Sequence, residues 1–147
     1  WRDIGLLDAY WEANMDLVSA TPEFNLYDPT WPIRTYTPNY PPSRLHMSQS
    51  GQSRMVVAQG CIVEDAQIER SVLSPGVHLG PGSSVSDCVL MEGVHIGKNA
   101  RLHKCIIDEG VHIPSNTQIG FDAESDRKRF SVTQGGVVII PKGIPIE

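Results

Sequence analysis

The chain has 147 residues, 40% of them hydrophobic and 20% charged, with a formal net charge of −5 from 12 basic and 17 acidic side chains. That length suits one domain, or a small domain with an attached segment, and the acidic balance argues against a broad nucleic-acid-binding face. No apolar run is long enough to span a membrane and no signal peptide is visible; the first residue is Trp1 rather than Met, as in an excised piece of a longer protein.

Residues 5–18 carry a helical pattern, with Leu7, Tyr10, Trp11, Leu17 and Val18 along one side. Ser19-Ala20-Thr21-Pro22 stops it. A helix of this length is marginal alone, so its aromatic side implies a neighbour, either one that is missing or the body of this chain. Residues 21–55 hold six of the 11 prolines and predict an extended, semi-rigid linker. Phe24, Tyr27, Trp31, Ile33 and Tyr36 within it predict that it lies against a surface, while Ser48–Ser53 is expected to be its most mobile stretch.

From residue 56 to 120 the chain repeats every seventeen residues: Val77-His78-Leu79-Gly80 is echoed by Val94-His95-Ile96-Gly97 and by Val111-His112-Ile113-Pro114. One column reads Ile62, Leu79, Ile96, Ile113; a second Ile68, Val85, Leu102, Ile119; a third Leu73, Leu90, Ile107. Large aliphatics recur in a hexapeptide rhythm, with a smaller residue two positions earlier (Val77, Ser83, Cys88). In a strand, i and i−2 point the same way. Each hexapeptide is therefore a short strand with both residues facing in, and three strands close one triangular coil, about 4.8 Å below the next. Gly76, Gly93 and Gly110 mark one corner. The same phase turns three columns outward: His78, His95, His112; Ser84, Arg101, Gln118; and Val72, Val89, Ile106. The last is apolar, an unusual thing to leave in water, and is expected to be a contact surface for a partner domain or another subunit.

Cys61, Cys88 and Cys105 are odd in number and read as reduced, small core residues of a cytoplasmic protein. After Gly120, the acid-then-base run Phe121 to Phe130 predicts a turn or one helical turn at the open end of the coils. Val137–Ile140 follows Gly135-Gly136 and reads as a strand.

Trp1-Arg2-Asp3-Ile4-Gly5, Asp8-Ala9-Tyr10-Trp11-Glu12-Ala13-Asn14, Trp31-Pro32-Ile33-Arg34-Thr35-Tyr36, Pro41-Pro42-Ser43-Arg44 and Asp126-Arg127-Lys128-Arg129-Phe130 together resemble the bacterial glucose-1-phosphate adenylyltransferases. The resemblance covers nearly the whole chain and implies a mainly β fold: a left-handed parallel β-helix preceded by one helix and a Pro-rich segment. It divides the chain into residues 1–20, the last helix of a catalytic domain; 21–55, the linker; 56–120, the β-helix; and 121–147, a cap and strand. It implies a parent enzyme that makes ADP-glucose and pyrophosphate from ATP and glucose 1-phosphate with Mg²⁺, for glycogen synthesis. Asp3 would contribute to the metal site, since a hard dication takes carboxylate oxygens. The β-helix would pack on the catalytic domain, build a homotetramer and bind a sugar-phosphate effector. Lys142, with Arg127 and Arg129 nearby in sequence, is the effector candidate, because phosphates need Arg or Lys. Glu109 stands where some relatives carry a basic residue. The Gly-rich nucleotide loop is not in this chain, so residues 1–147 alone are expected to be inactive.

A hexapeptide-repeat acyltransferase shares the architecture but usually carries an extruded loop, and no long insertion interrupts Gly60 to Gly120. A zinc-dependent carbonic anhydrase would use the histidine column. Three collinear imidazoles spread over about 10 Å converge poorly on one ion.

Overall fold

The computed structural model describes residues 3–47 and 54–146. One helix, α1 (Leu7–Leu17), precedes the coils. Residues 22–37 then run exposed, with Tyr27, Trp31 and Tyr36 more than 80% accessible. The linker therefore does not lie along the coils until Tyr40, and the Ser48–Ser53 expectation falls outside the described residues.

The rest is a parallel solenoid of about four turns with three flat walls. Two leading rungs, β1 (Arg44–Met47) and β2 (Met55–Val57), precede the first full turn. That turn consists of β3 (Ile62–Glu69) and β4 (Ser71–Leu73). The second is β5 (His78–Leu79), β6 (Ser84–Ser86) and β7 (Val89–Leu90). The third is β8 (His95–Ile96), β9 (Arg101–His103) and β10 (Cys105–Ile107). The fourth is β11 (His112–Ile113) and β12 (Gln118–Ile119). Then come α2 (Ala123–Arg129), β13 (Ser131–Val132) and β14 (Val138–Ile140). The first wall stacks β1, β3, β5, β8 and β11; the second β3, β6, β9 and β12; the third β2, β4, β7, β10 and β14, with β13 antiparallel at its end. Solenoid rungs thus extend into both segments assigned from sequence to linker and cap.

Leu79, Ile96 and Ile113 stack in one inward column, and Ile68, Val85, Leu102 and Ile119 in another, all nearly or fully buried. The first-turn member of the first column is Val63, not Ile62. Val63 pairs with Leu79, whereas Ile62 pairs with His78 and is 36% exposed. The physical reason is a tighter corner: β3 runs through it on one left-handed residue, Asp65 (φ 48°), so this turn is one residue shorter there. Cys61, Cys88 and Cys105 are buried free thiols among the core residues. The Cys88 hydrogen bond, and then burial, push the Cys105 thiol well up, which keeps it unreactive.

All three corners are left-handed. Gly76, Gly93 and Gly110 form the expected one, each with φ near +70°. Tyr40 crosses it: its ring covers Gly76, where a Cβ would lie 3.0 Å away, and its hydroxyl donates to Glu92 Oε1 at 3.0 Å. The other two corners use Asp65, Gly82, Asn99 and Asn116, and Arg70, Asp87 and Lys104. From Gly82 onward their N–H groups pair with the coil below, as in Lys104 to Ser86 O at 3.0 Å.

The open end is closed by α2, nearly two turns rather than one. Asp122 caps it through the N–H groups of Glu124 and Ser125. Asp126 is buried and accepts the Gly120 N–H at 2.9 Å, pinning the helix to the last coil. Among the described residues, no helix is long and apolar enough to cross a membrane.

Candidate functional site

Parallel pairing carries the outward columns as straight ladders. On the first wall His78, His95 and His112 are in register, with ring centroids 4.4 Å and 5.4 Å apart. Glu64 meets His78 at 3.1 Å and also pairs with Arg44 at 3.5 Å. Burial, then the neighbouring His78 and His112, hold the His95 imidazole below its ordinary pKa. Among the described residues no three His, Cys, Asp or Glu side chains are grouped to hold a metal ion.

On the third wall Val72, Val89 and Ile106 are in register too, but they are covered. Helix α1 seats Met15 and Val18 on Val89, Ile106 and Val137, flanked by Tyr10, Trp11, Val56 and Val72. The neighbour implied by the aromatic helix is thus the body of this chain. Met15 is buried, and Leu7, expected on the packed side, is 49% exposed. Polar contacts fix the helix at two points. Trp11 Nε1–H donates to Asp87 O at 2.8 Å, with Lys104 Nζ 5.0 Å above the indole. Asp8 accepts a hydrogen bond from Thr133 Oγ1 and one from the Gly135 N–H at 3.1 Å. Gly135 allows this approach, since a Cβ there would stand 2.7 Å from Asp8 Oδ1.

The basic residues gather at the opposite end of the same hairpin. Arg127, Lys128 and Arg129 at the end of α2, with Phe130, Ser131, Pro141 and Ile144, line an open cavity of about 260 Å³. That volume suits a small ligand rather than a large one. Cations in the last turn of a helix also offset its C-terminal dipole, which accounts for part of their clustering. Lys142 is not in that lining. Its ammonium pairs with Glu109, and its N–H donates to Asp108 Oδ2 at 3.1 Å. The Glu109 hydrogen bond raises the Lys142 pKa, and the N–H groups of Lys142 and Glu109 lower that of Asp108.

Asp3 is exposed before α1, its Oδ1 accepting the Gly5 N–H at 2.9 Å. It brings one hard oxygen donor, and no group of three candidate ligands forms around it among the described residues. The described residues alone do not fit a complete Mg²⁺ site.

Comparison with known proteins places this architecture. A family model described as GlmU-like, C-terminal hexapeptide, matches residues 41–140. The chain belongs to that family. The matched span runs from just before β1 to the end of β14, which is the extent of the stacked rungs. The whole chain is also similar to part of proteins named glucose-1-phosphate adenylyltransferase. One from Anaeromyxobacter dehalogenans is 54% identical over 100% of this chain and 37% of its own length. One from Corynebacterium kroppenstedtii is 57% identical over 97% of the chain and 34% of its length. A more distant one, glucose-1-phosphate adenylyltransferase 1 of Vibrio parahaemolyticus, is 38% identical over 97% and 36%. The chain thus spans about a third of these relatives, their C-terminal part.

Sequence pattern did not single out Asp8, Trp11, Lys104, Thr133 or Gly135 as one contact. The available signal was the unsatisfied side of the helix together with a Gly-Gly pair before an apolar strand.

Proposed function

We propose that this GlmU-like hexapeptide chain is the regulatory and assembly portion of a glucose-1-phosphate adenylyltransferase. In that enzyme a nucleotidyltransferase domain joined through α1 makes ADP-glucose and pyrophosphate from ATP and glucose 1-phosphate. The observation that carries this reading is α1 itself. It lies within the full-length match to the relatives, and it is seated on the solenoid by a buried apolar cluster and two polar anchors. A solenoid built to hold the helix leading into it is a platform for a preceding domain.

On this reading the cavity beside Arg127 and Arg129 takes the phosphate of a sugar-phosphate effector, by charge-assisted hydrogen bonds from guanidinium groups. Lys142 stands beyond Pro141, at the edge of that cavity, with Glu109 as its present counter-charge. Asp3 adds one carboxylate oxygen to a Mg²⁺ site completed by the nucleotidyltransferase domain, where the ion would polarise phosphoryl oxygens. The exposed linker aromatics and the walls left bare give the subunits of a homotetramer surfaces to meet on, in a cytoplasmic enzyme of glycogen synthesis.

The test is kinetic. The full-length enzyme should form ADP-glucose and change rate with a sugar phosphate, and Arg127→Ala/Arg129→Ala should weaken that response at least tenfold in half-saturating concentration. Residues 1–147 alone should not turn over. Turnover by the 147-residue chain, or a response untouched by the double variant, overturns the reading.

A further inference from the structure

The cavity and the helix seat border one short hairpin, β13–β14 with its turn. Ser131, the first residue of β13, lines the basic cavity, and Thr133, two positions on, holds Asp8 of α1. The return leg does the same: Val137, just before β14, packs under α1 and its N–H donates to Thr133 Oγ1 at 3.0 Å, while Pro141, past the end of β14, lines the cavity. Ser131 and Thr133 are two residues apart, about 7 Å along an extended backbone. The turn between the two strands is closed by the Thr133 N–H to Val137 O and the Gly136 N–H to Thr133 O. At the other end of the contact, Asp8 is five residues from Asp3 and on the first turn of α1.

We propose that the Asp8–Thr133–Gly135 contact is a relay, through which an anion bound beside Arg127 and Arg129 repositions α1 and the Asp3 segment before it. Asp8 is then a positioning residue, acting through the helix and touching no ligand. The proposal rests on the effector reading above, and adds to it the route by which occupancy is sensed. Coupling of this kind requires an element that both sites bias; the hairpin β13–β14 is that element, because one end borders the cavity and the other holds the helix.

Gly135→Ala tests this without replacing either polar side chain. Gly135 carries no positive φ, so alanine is permitted by the backbone, yet its Cβ would displace the Asp8 carboxylate. In the full-length enzyme, Gly135→Ala and Asp8→Ala should keep the rate without effector within about twofold while the activation ratio given by fructose 1,6-bisphosphate or inorganic phosphate falls towards one. Asp8→Asn, which keeps a carbonyl oxygen as acceptor, should restore much of it. The second readout is hydrogen exchange: the anion should change exchange of the α1 amides in the parent and not in Gly135→Ala. An undiminished ratio in both alanine variants, with α1 exchange still responding, overturns the relay and leaves the effector reading standing. A parent enzyme indifferent to both anions overturns that reading, and the relay with it.

Discussion

The first and third walls of the solenoid are built by the same rule and end differently. Each presents one outward residue per rung, in register at the same spacing. The first wall presents His78, His95 and His112, half-buried or exposed, with Glu64 at one end. The third presents Val72, Val89 and Ile106 and is covered by α1. The lesson is that the repeat fixes geometry and leaves chemistry open. One column of side chains decides whether a wall stays wet or seats a helix, with no change to the backbone beneath it.

Four measurements sharpen that contrast. The largest effect belongs beneath both walls: Ile96→Ala leaves a cavity in the shared core and should cost about 2–5 kcal/mol in urea unfolding. A cost under about 0.5 kcal/mol would mean that residue faces out. Next, Val89→Glu sets a carboxylate under Met15 and Val18. It should release α1 rather than unfold the coils, forfeiting roughly 1.5–3 kcal/mol for each apolar side chain returned to water. Because an 11-residue helix is marginal alone, far-UV circular dichroism should lose helix while the sheet signal remains. Retained helix would count against the seat. Third, Trp11→Phe keeps an aromatic ring but removes the hydrogen bond to Asp87 O, and should weaken docking by about 1 kcal/mol, read as faster exchange of α1 amides.

The smallest effect is on the histidine wall and depends on pH. The His95 pKa is depressed by burial and by its neighbours His78 and His112, with Glu64, itself paired to Arg44, opposing. The folded state therefore binds a proton less readily than the unfolded chain. This contribution to stability is complete above the ordinary value of 6.5 and is lost as pH falls through the range below it. His95→Val should flatten the fall in unfolding midpoint between pH 7 and 5, and an unchanged slope would show that the ladder does not titrate as described.

Much of this was readable from pattern because a solenoid makes pattern and position the same thing. The inward columns beyond the first turn, the vertical histidine ladder and the glycine corner follow from period and alternation, while the free thiols follow from their odd number and the final strand from an apolar run after two glycines. Ile62 was misplaced because the shorter corner at Asp65 is a local backbone choice that a seventeen-residue count steps over. The other two corners were illegible for a related reason. Asn and Asp visit left-handed backbone readily, but Arg70 and Lys104 give no sign of it. The helix seat was half-readable. Apolar surplus on both partners was visible in the residues, while the fact that they meet depends on the path of the linker, where no periodicity operates. The basic cavity lay beyond reach, since it is assembled from a helix end and a loop that become neighbours only once the cap has closed.

The seat of α1 also orders events during synthesis. Its floor is laid by Val56, Val72, Val89, Ile106 and finally Val137, one rung at a time. The helix leaves the ribosome before any of that floor, and Val137 is translated about 120 residues afterwards, roughly 6–24 s at ordinary elongation rates. Throughout that interval Trp11, Met15 and Val18 have no completed partner. The apolar face of α1 is therefore open to chaperones until the β13–β14 turn has been made.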